Sequence, residues 1–212
     1  MWLAITKRWK ALACSFVALS LATGIGWLLA PSDSRSYWID LLWHSDRVGA
    51  LDDARNNSIM GVVARASGPG PGRTAWWIFV ALAILVVTLV RSVKASRAID
   101  LLAVAAIVGC ATAAVSPISW THHLGFLLVA LAAFVLQAKS NLAKVLCALV
   151  WLFLVDPAGH GDEPLQSTIR ALLVIGAVCF TPIRAAETAT GPKDDQTATT
   201  SSTRDTNSML PS

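Results

Sequence analysis

Four stretches of this chain, 11–32, 74–90, 101–121 and 124–138, contain no Asp, Glu, Lys or Arg. Runs of that kind leave little choice of fold. In hydrocarbon every backbone N–H and C=O has to be paired within the protein, so an isolated run crosses as a helix. A spanning helix takes about 17–25 predominantly apolar residues. The first and third runs meet that easily, and the second and fourth lie at its short end. Two weaker segments follow, about 140–155 with Lys144 and about 166–183 with Arg170. They qualify if those two long side chains snorkel to the interfaces. The expected fold is all-α integral membrane, with about six transmembrane helices.

Composition agrees. Apolar residues make up 55% of the 212 and charged residues 14%, against about 25% charged in an ordinary soluble domain. Charge placement then orients the spans. With the N-terminus inside, eleven of the seventeen basic residues fall on the inner side, and eight of the thirteen acids, Asp52 and Asp53 among them, fall outside. A short inner loop, Arg91–Arg97, carries Arg91, Lys94 and Arg97, the kind of loop that the positive-inside rule weighs most heavily. The pI near 9.1 is therefore a consequence of topology and of attraction to the inner leaflet, and nucleic acid is not expected as a partner. Membrane lipids are.

The chain divides into an N-terminal transmembrane helix (1–30), an extracytoplasmic loop with interfacial helices (31–73), a transmembrane helical block (74–186) and a cytoplasmic tail (187–212). Residues 1–30 resemble a signal peptide in having Lys7, Arg8 and Lys10 before an apolar run. The run is longer than an ordinary signal core and ends without a small-x-small cleavage site, which favours an anchor. The tail is rich in Thr, Ser and Asp and has too few large apolar residues to repay its ordering entropy, so disorder is expected there. In the loop, Tyr37-Trp38-Ile39-Asp40-Leu41-Leu42-Trp43-His44 suits the bilayer surface. Asn56-Asn57-Ser58 can cap a short helix running to about Ala66, ended by Ser67-Gly68-Pro69-Gly70-Pro71-Gly72. Cys14, Cys110, Cys147 and Cys179 all fall inside proposed spans, where they read as small apolar residues and not as a disulfide framework.

Two polar clusters face the same outer compartment: Asn56, Asn57, Ser58, Gly61 and Arg65 in the loop, and Ser119, Trp120, His122 and His123 between two apolar runs. Ionisable groups at membrane depth are expensive and point to function. His122 and His123 can transfer a proton or donate to a phosphate, or serve simply as interfacial residues. Trp120 offers an apolar face to a sugar ring or prenyl chain, or belongs to the interfacial belt. Arg65 can pair with a phosphate through its planar guanidinium, or be a solvated charge balanced by Asp52 or Asp53. Successive residues on an α-helix point about 100° apart, so His122 and His123 are not expected to chelate one ion, and no metal site is expected. Walker, dinucleotide and nucleophile-elbow motifs do not occur.

Three runs carry a resemblance: Leu42-Trp43-His44-Ser45-Asp46-Arg47-Val48-Gly49, Asn56-Asn57-Ser58-Ile59-Met60-Gly61-Val62-Val63-Ala64-Arg65, and Ser116-Pro117-Ile118-Ser119-Trp120-Thr121-His122-His123. Together they resemble glycosyltransferase family 87, bacterial integral-membrane alpha-1,2-mannosyltransferases that use polyprenyl-phosphate mannose. The likeness covers about 31–137 and continues to about 186. Where the family usually shows Asn-Gln-Ser, this chain has Asn56-Asn57-Ser58, one methylene shorter at the middle amide.

The resemblance implies a multi-pass plasma-membrane protein like the C-terminal part of a GT-C type glycosyltransferase, with its active face extracytoplasmic. It implies inverting transfer of mannose from a polyprenyl-phosphate sugar donor to a glycolipid or glycan acceptor, with no cofactor. His122 and His123 would be catalytic; Asn56, Asn57, Ser58, Arg65, Ser119 and Trp120 would bind substrate. Family members are roughly twice as long, and their proposed catalytic Asp precedes the region matched here. The chain is thus expected to correspond to the C-terminal half: a truncation, a mis-set start, or one half of a split gene with a separately encoded N-terminal half as partner. The alternative is a non-catalytic membrane remnant or scaffold that keeps the lipid-sugar pocket.

Overall fold

The computed structural model describes residues 2–44, 49–155 and 163–184, and every regular element among them is helical. Arg47, His160, Asp162 and the tail 187–212 lie outside the described residues. A short α1 (Trp2–Ile5) leads into α2 (Trp9–Leu29), and α3 (Pro31–Ile39) follows with a 3-10 turn at Leu41–Trp43. Then come α4 (Ile59–Ser67), α5 (Pro71–Arg97), α6 (Leu101–Val115), a 3-10 turn at Thr121–Leu124, α7 (Gly125–Gln137), α8 (Asn141–Val155) and α9 (Pro164–Phe180). Two of these, α2 and α5, are long and apolar enough to cross a membrane; α6 to α9 are shorter apolar helices.

The core is built around α6, which packs against α5, α7, α9 and α4. Small residues make this possible. Ala103, Ala106, Gly109, Cys110, Ala113 and Ala114 are all buried, and small side chains let helix backbones approach closely. At Gly109 the Phe126 ring of α7 occupies the space a Cβ would need. In contrast, α2 buries none of its residues and packs against α1 and α3. It leaves Phe16, Val17, Leu19, Leu21 and Leu28 uncovered. A helix that is apolar all round and bare all round is suited to hydrocarbon.

Side chains at one end of the bundle tie the helix termini together. Asp100 caps α6 by accepting from Ala103 N at 3.0 Å, and its other oxygen accepts from Arg184 N at 2.8 Å, beyond α9. Arg91 of α5 donates to the Thr181 carbonyl, and Gln137 Nε2 donates to the Pro182 carbonyl at 3.3 Å. Trp2 Nε1 reaches the Ser92 carbonyl at 3.3 Å. The start of α1 and α6 and the ends of α5, α7 and α9 therefore share that end.

Two expectations are corrected. Arg91–Arg97 is not a loop: it forms the last two turns of α5, and the link to α6 is only 98–100. Basic side chains are good helix formers and favour a helix C-terminus, where the dipole is negative. Nor does Arg170 snorkel. It is 1% exposed, on the α9 face that also buries Ser167, Ala171, Val174, Ala177 and Val178, and its guanidinium lies 5.7 Å from the Phe153 ring centroid of α8.

Candidate functional site

At the opposite end of the bundle the two polar clusters meet. Asn56, Asn57, Ser58 and Ser119 are each 0–1% exposed. The Asn56 amide is used fully: Nδ2 donates to the carbonyls of Leu51 (2.9 Å) and Pro117 (3.1 Å), while Oδ1 accepts from Ser58 N (3.1 Å) and Ser119 N (3.0 Å). Asn57 N donates to the Ser119 carbonyl at 2.7 Å, and its Nδ2 to the carbonyls of Arg55 and Ser119. Ser58 Oγ donates to the Pro117 carbonyl at 3.0 Å and accepts from Gly61 N at 3.1 Å, capping α4. Neither segment can form a ladder or a helix of its own here, so side-chain amides satisfy backbone groups that burial would otherwise orphan. The result is a clip joining 51–58 to 116–119. Gly61 is required by it, since a Cβ there would stand 2.5 Å from the Asn56 carbonyl oxygen.

Arg65, half-buried one turn further along α4, extends the clip. Nη1 donates to the carbonyls of Asp53 (2.9 Å) and Asn56 (3.0 Å), and Nη2 to Thr168 Oγ1 of α9 at 3.3 Å. Burial lowers its affinity for its proton, opposed by Asp53 and Asp52. Asn56, Asn57, Ser58 and Arg65 thus have their hydrogen bonds directed at the protein itself. Asn57 Oδ1 and Ser119 Oγ are buried with no hydrogen-bond partner among the described residues.

What the clip holds in place is the turn Thr121–Leu124. Trp120, before it, stacks beneath Arg55, whose guanidinium carbon lies 5.4 Å from the ring centroid. Gly49 backs the same ring. Arg55 is in turn fixed by Asp53 at 3.0 Å, and its hydrogen bonds hold the Asp53 carboxyl below the usual carboxylate range. His122 and His123 are exposed, with ring centroids 4.2 Å apart. The rings meet edge to face even though successive residues of a 3-10 turn point about 120° apart, so the backbone alone does not keep them separate. His123 Nδ1 accepts from Trp120 N at 3.0 Å. Burial, with His122 beside it, lowers the His123 pKa.

Both rings line a groove of about 500 Å³. Its remaining walls are Gly109, Thr112, Ala113 and Ser116 along one face of α6, and Gly125, Phe126 and Val129 of α7. The groove is apolar along its length and carries its two ionisable groups at its head. Among the described residues no cluster of three or more His, Cys, Asp or Glu is placed to hold a metal. Sequence reasoning missed these groove walls. The signal was the recurrence of small residues at 109, 113 and 116, one helical face that leads to the two histidines.

The family model for glycosyltransferase family 87 matches residues 1–119, more than half of the chain. The chain belongs to glycosyltransferase family 87. The family match takes in the whole clip as far as Ser119, and the His122–His123 turn follows it directly. Among curated relatives, a polyprenol-phosphate-mannose-dependent alpha-(1-2)-phosphatidylinositol mannoside mannosyltransferase of Mycobacterium tuberculosis is 27% identical over 157 residues, 73% of this chain and 37% of the relative. The corresponding phosphatidylinositol pentamannoside mannosyltransferase of Mycolicibacterium smegmatis is 33% identical over 121 residues, 55% of this chain and 28% of the relative. The chain therefore spans about a third of the length of these relatives. No solved structure matches it.

Proposed function

We propose that this chain is the part of a multi-pass membrane mannosyltransferase that binds a polyprenyl-phosphate sugar donor, with the α6–α7 groove taking the prenyl chain and His122 and His123 taking the phosphate. The observation that carries the reading is the groove itself: apolar walls, small side chains at Ala113 and Ser116 that let a chain lie close, and the two histidines as its ionisable groups. That profile is complementary to an amphiphile with an anionic head. Family membership and the activities for which the relatives are named support a mannose donor and a phosphatidylinositol mannoside-type acceptor.

In this reading α2, α5, α6, α7, α8 and α9 are six spans, the shorter ones extended by flanking turns, and the His122–His123 turn lies on the extracytoplasmic side of the plasma membrane. Residues 1–30 form the first span, 31–73 an outer loop with interfacial helices, 74–186 the helical block and 187–212 a cytoplasmic tail. Asn56, Asn57, Ser58, Arg65 and Ser119 serve the site by positioning the turn, and Trp120 by presenting its ring beside it. The histidines stabilise charge on the departing phosphate, the kind of pre-positioned donor that lowers a transfer barrier.

Purified protein in nanodiscs, exposed to a photoactivatable prenyl phosphate, should be labelled on α6 and α7 around Thr112 and Val129. Thr112→Trp, at an exposed groove position, should remove most of that labelling. Labelling confined to other helices, or unchanged in Thr112→Trp, overturns the donor groove. Transfer of radiolabelled mannose from decaprenyl phosphate mannose to a mannoside lipid tests the enzymatic half of the proposal in the same preparation.

A further inference from the structure

The two histidines are adjacent and share one groove, yet their ring nitrogens are not equivalent. His123 Nδ1 is occupied, accepting a hydrogen bond from the backbone N–H of Trp120 at 3.0 Å. The same turn is closed by His123 N donating to the Trp120 carbonyl at 2.9 Å. A nitrogen that accepts carries no proton, so the neutral ring must bear its hydrogen on Nε2. Protonating Nδ1 would set two donors against each other and open the turn. It would also place a second positive charge beside His122, whose ring centroid is 4.2 Å away. His122 has no hydrogen bond to either nitrogen among the described residues.

We infer that His123 is a fixed-tautomer residue: it closes the turn through Nδ1 and presents a neutral Nε2–H donor to the head of the groove, taking up no second proton near neutrality. Among the described residues, the two helices packed on the turn bring it no carboxylate that would favour a protonated ring. Neither α6 nor α7 brings a charged side chain; the one thiol on α6, Cys110, is buried in the core. From the loop, the Arg55 guanidinium lies over Trp120 and is tied to Asp53. The lowered His123 pKa, caused by burial and by His122, runs in the same direction as the geometry. Resting on the donor-groove reading, the fixed tautomer has a chemical consequence. His123 donates to the anionic phosphate through Nε2–H at every pH near neutrality, without adding a charge of its own at the head of the groove.

The test has two arms. Imidazole nitrogen NMR of the full chain in nanodiscs, assigned with His122→Asn and His123→Asn, reads the tautomers directly. His123 should hold the Nε2–H form between about pH 5 and 8. The Nδ1–H form of His123, or its ring taking up a second proton in that range, overturns the inference. Asparagine at 123 can still accept from Trp120 N through Oδ1, and the His122→Asn protein alone suffices to identify His123 should that variant not fold. The second arm measures binding of citronellyl methyl phosphate, a diester with one charge throughout this range. Binding should follow the same course with pH in the parent and in His123→Asn. A pH dependence present in the parent and lost in His123→Asn overturns the inference. No diester binding at any pH, with the expected tautomer, overturns the donor groove and leaves the assignment of His123 standing.

Discussion

A buried asparagine amide with all four of its hydrogen-bonding positions engaged is a costly thing to disturb. Asn56 joins two segments about sixty residues apart in sequence, and both are irregular backbone with no ladder to fall back on. Asn56→Ala would orphan the N–H groups of Ser58 and Ser119 and the carbonyls of Leu51 and Pro117. Each unsatisfied buried group costs about 1–3 kcal/mol; partial rescue by water leaves an expected loss of at least about 2 kcal/mol. Asn56→Asp should be comparably harmful, because it keeps the acceptor and turns the second oxygen toward two carbonyls. Chemical unfolding in detergent measures this. An Asn56→Ala protein as stable as the parent would mean that the clip does not hold the turn, and that the asparagine is free for a ligand. The same logic separates the residues by role: those of the clip should alter stability and site geometry together, whereas His122 and Thr112, facing the groove, should alter binding alone.

One element links the clip to the histidine turn, the strap 49–58, and it has its own pH response. Asp53 holds Arg55, and Arg55 covers Trp120. The Asp53 carboxyl is held below its ordinary value of about 3.9, chiefly by the Arg55 hydrogen bonds. A carboxylate with a depressed folded-state pKa binds fewer protons folded than unfolded. Its contribution to stability is thus complete above the ordinary value and is lost as pH falls through the lower, folded one. Asp53→Asn should remove that part of the acid sensitivity, so the difference in stability between parent and variant should shrink as pH drops from about 5 toward 3. A constant difference across that range would show that Asp53 acts through packing alone.

The strap and the clip also mark how far the sequence could be read. The α4 cap was legible at Asn56-Asn57-Ser58, because short polar side chains ahead of an amphipathic run serve local backbone needs. The pairing of those same residues with Pro117 and Ser119 was not, since no local pattern records a contact across three intervening helices. Arg91–Arg97 misled because basic residues signal a membrane boundary and a helix C-terminus equally well. Arg170 misled because a single charge in an apolar segment has two outcomes, snorkelling or burial; the small-residue face at 167, 171, 174 and 177 was the sign of burial. The site histidines were found by their cost in an apolar setting, while the groove beneath them depends on how α6 and α7 are spaced, set by Gly109 against Phe126.

At the scale of the whole molecule, the two ends of the bundle differ in chemistry. One gathers Trp2, Arg91, Ser92, Asp100, Gln137 and Arg184 around the helix termini. The other holds the clip, the strap and the histidine turn. A cytoplasmic face enriched in Lys and Arg is the stronger orienting signal, and Lys7, Arg8, Lys10, Arg91, Lys94, Arg97 and Lys139 lie toward the first end by sequence position. Moving Arg91–Arg97 from a loop into α5 does not weaken this, because the rule counts charges near a span's end whatever their backbone. Reporter fusions after Gly68, Ile99, His123 and Lys139 should therefore read out, in, out, in. Replacing Arg91, Lys94 and Arg97 together should blur the signal at Ile99 while leaving Gly68 outside. A cytoplasmic signal at His123 would place the groove's head away from the extracytoplasmic leaflet. It would remove the shared face on which the donor and acceptor are proposed to meet.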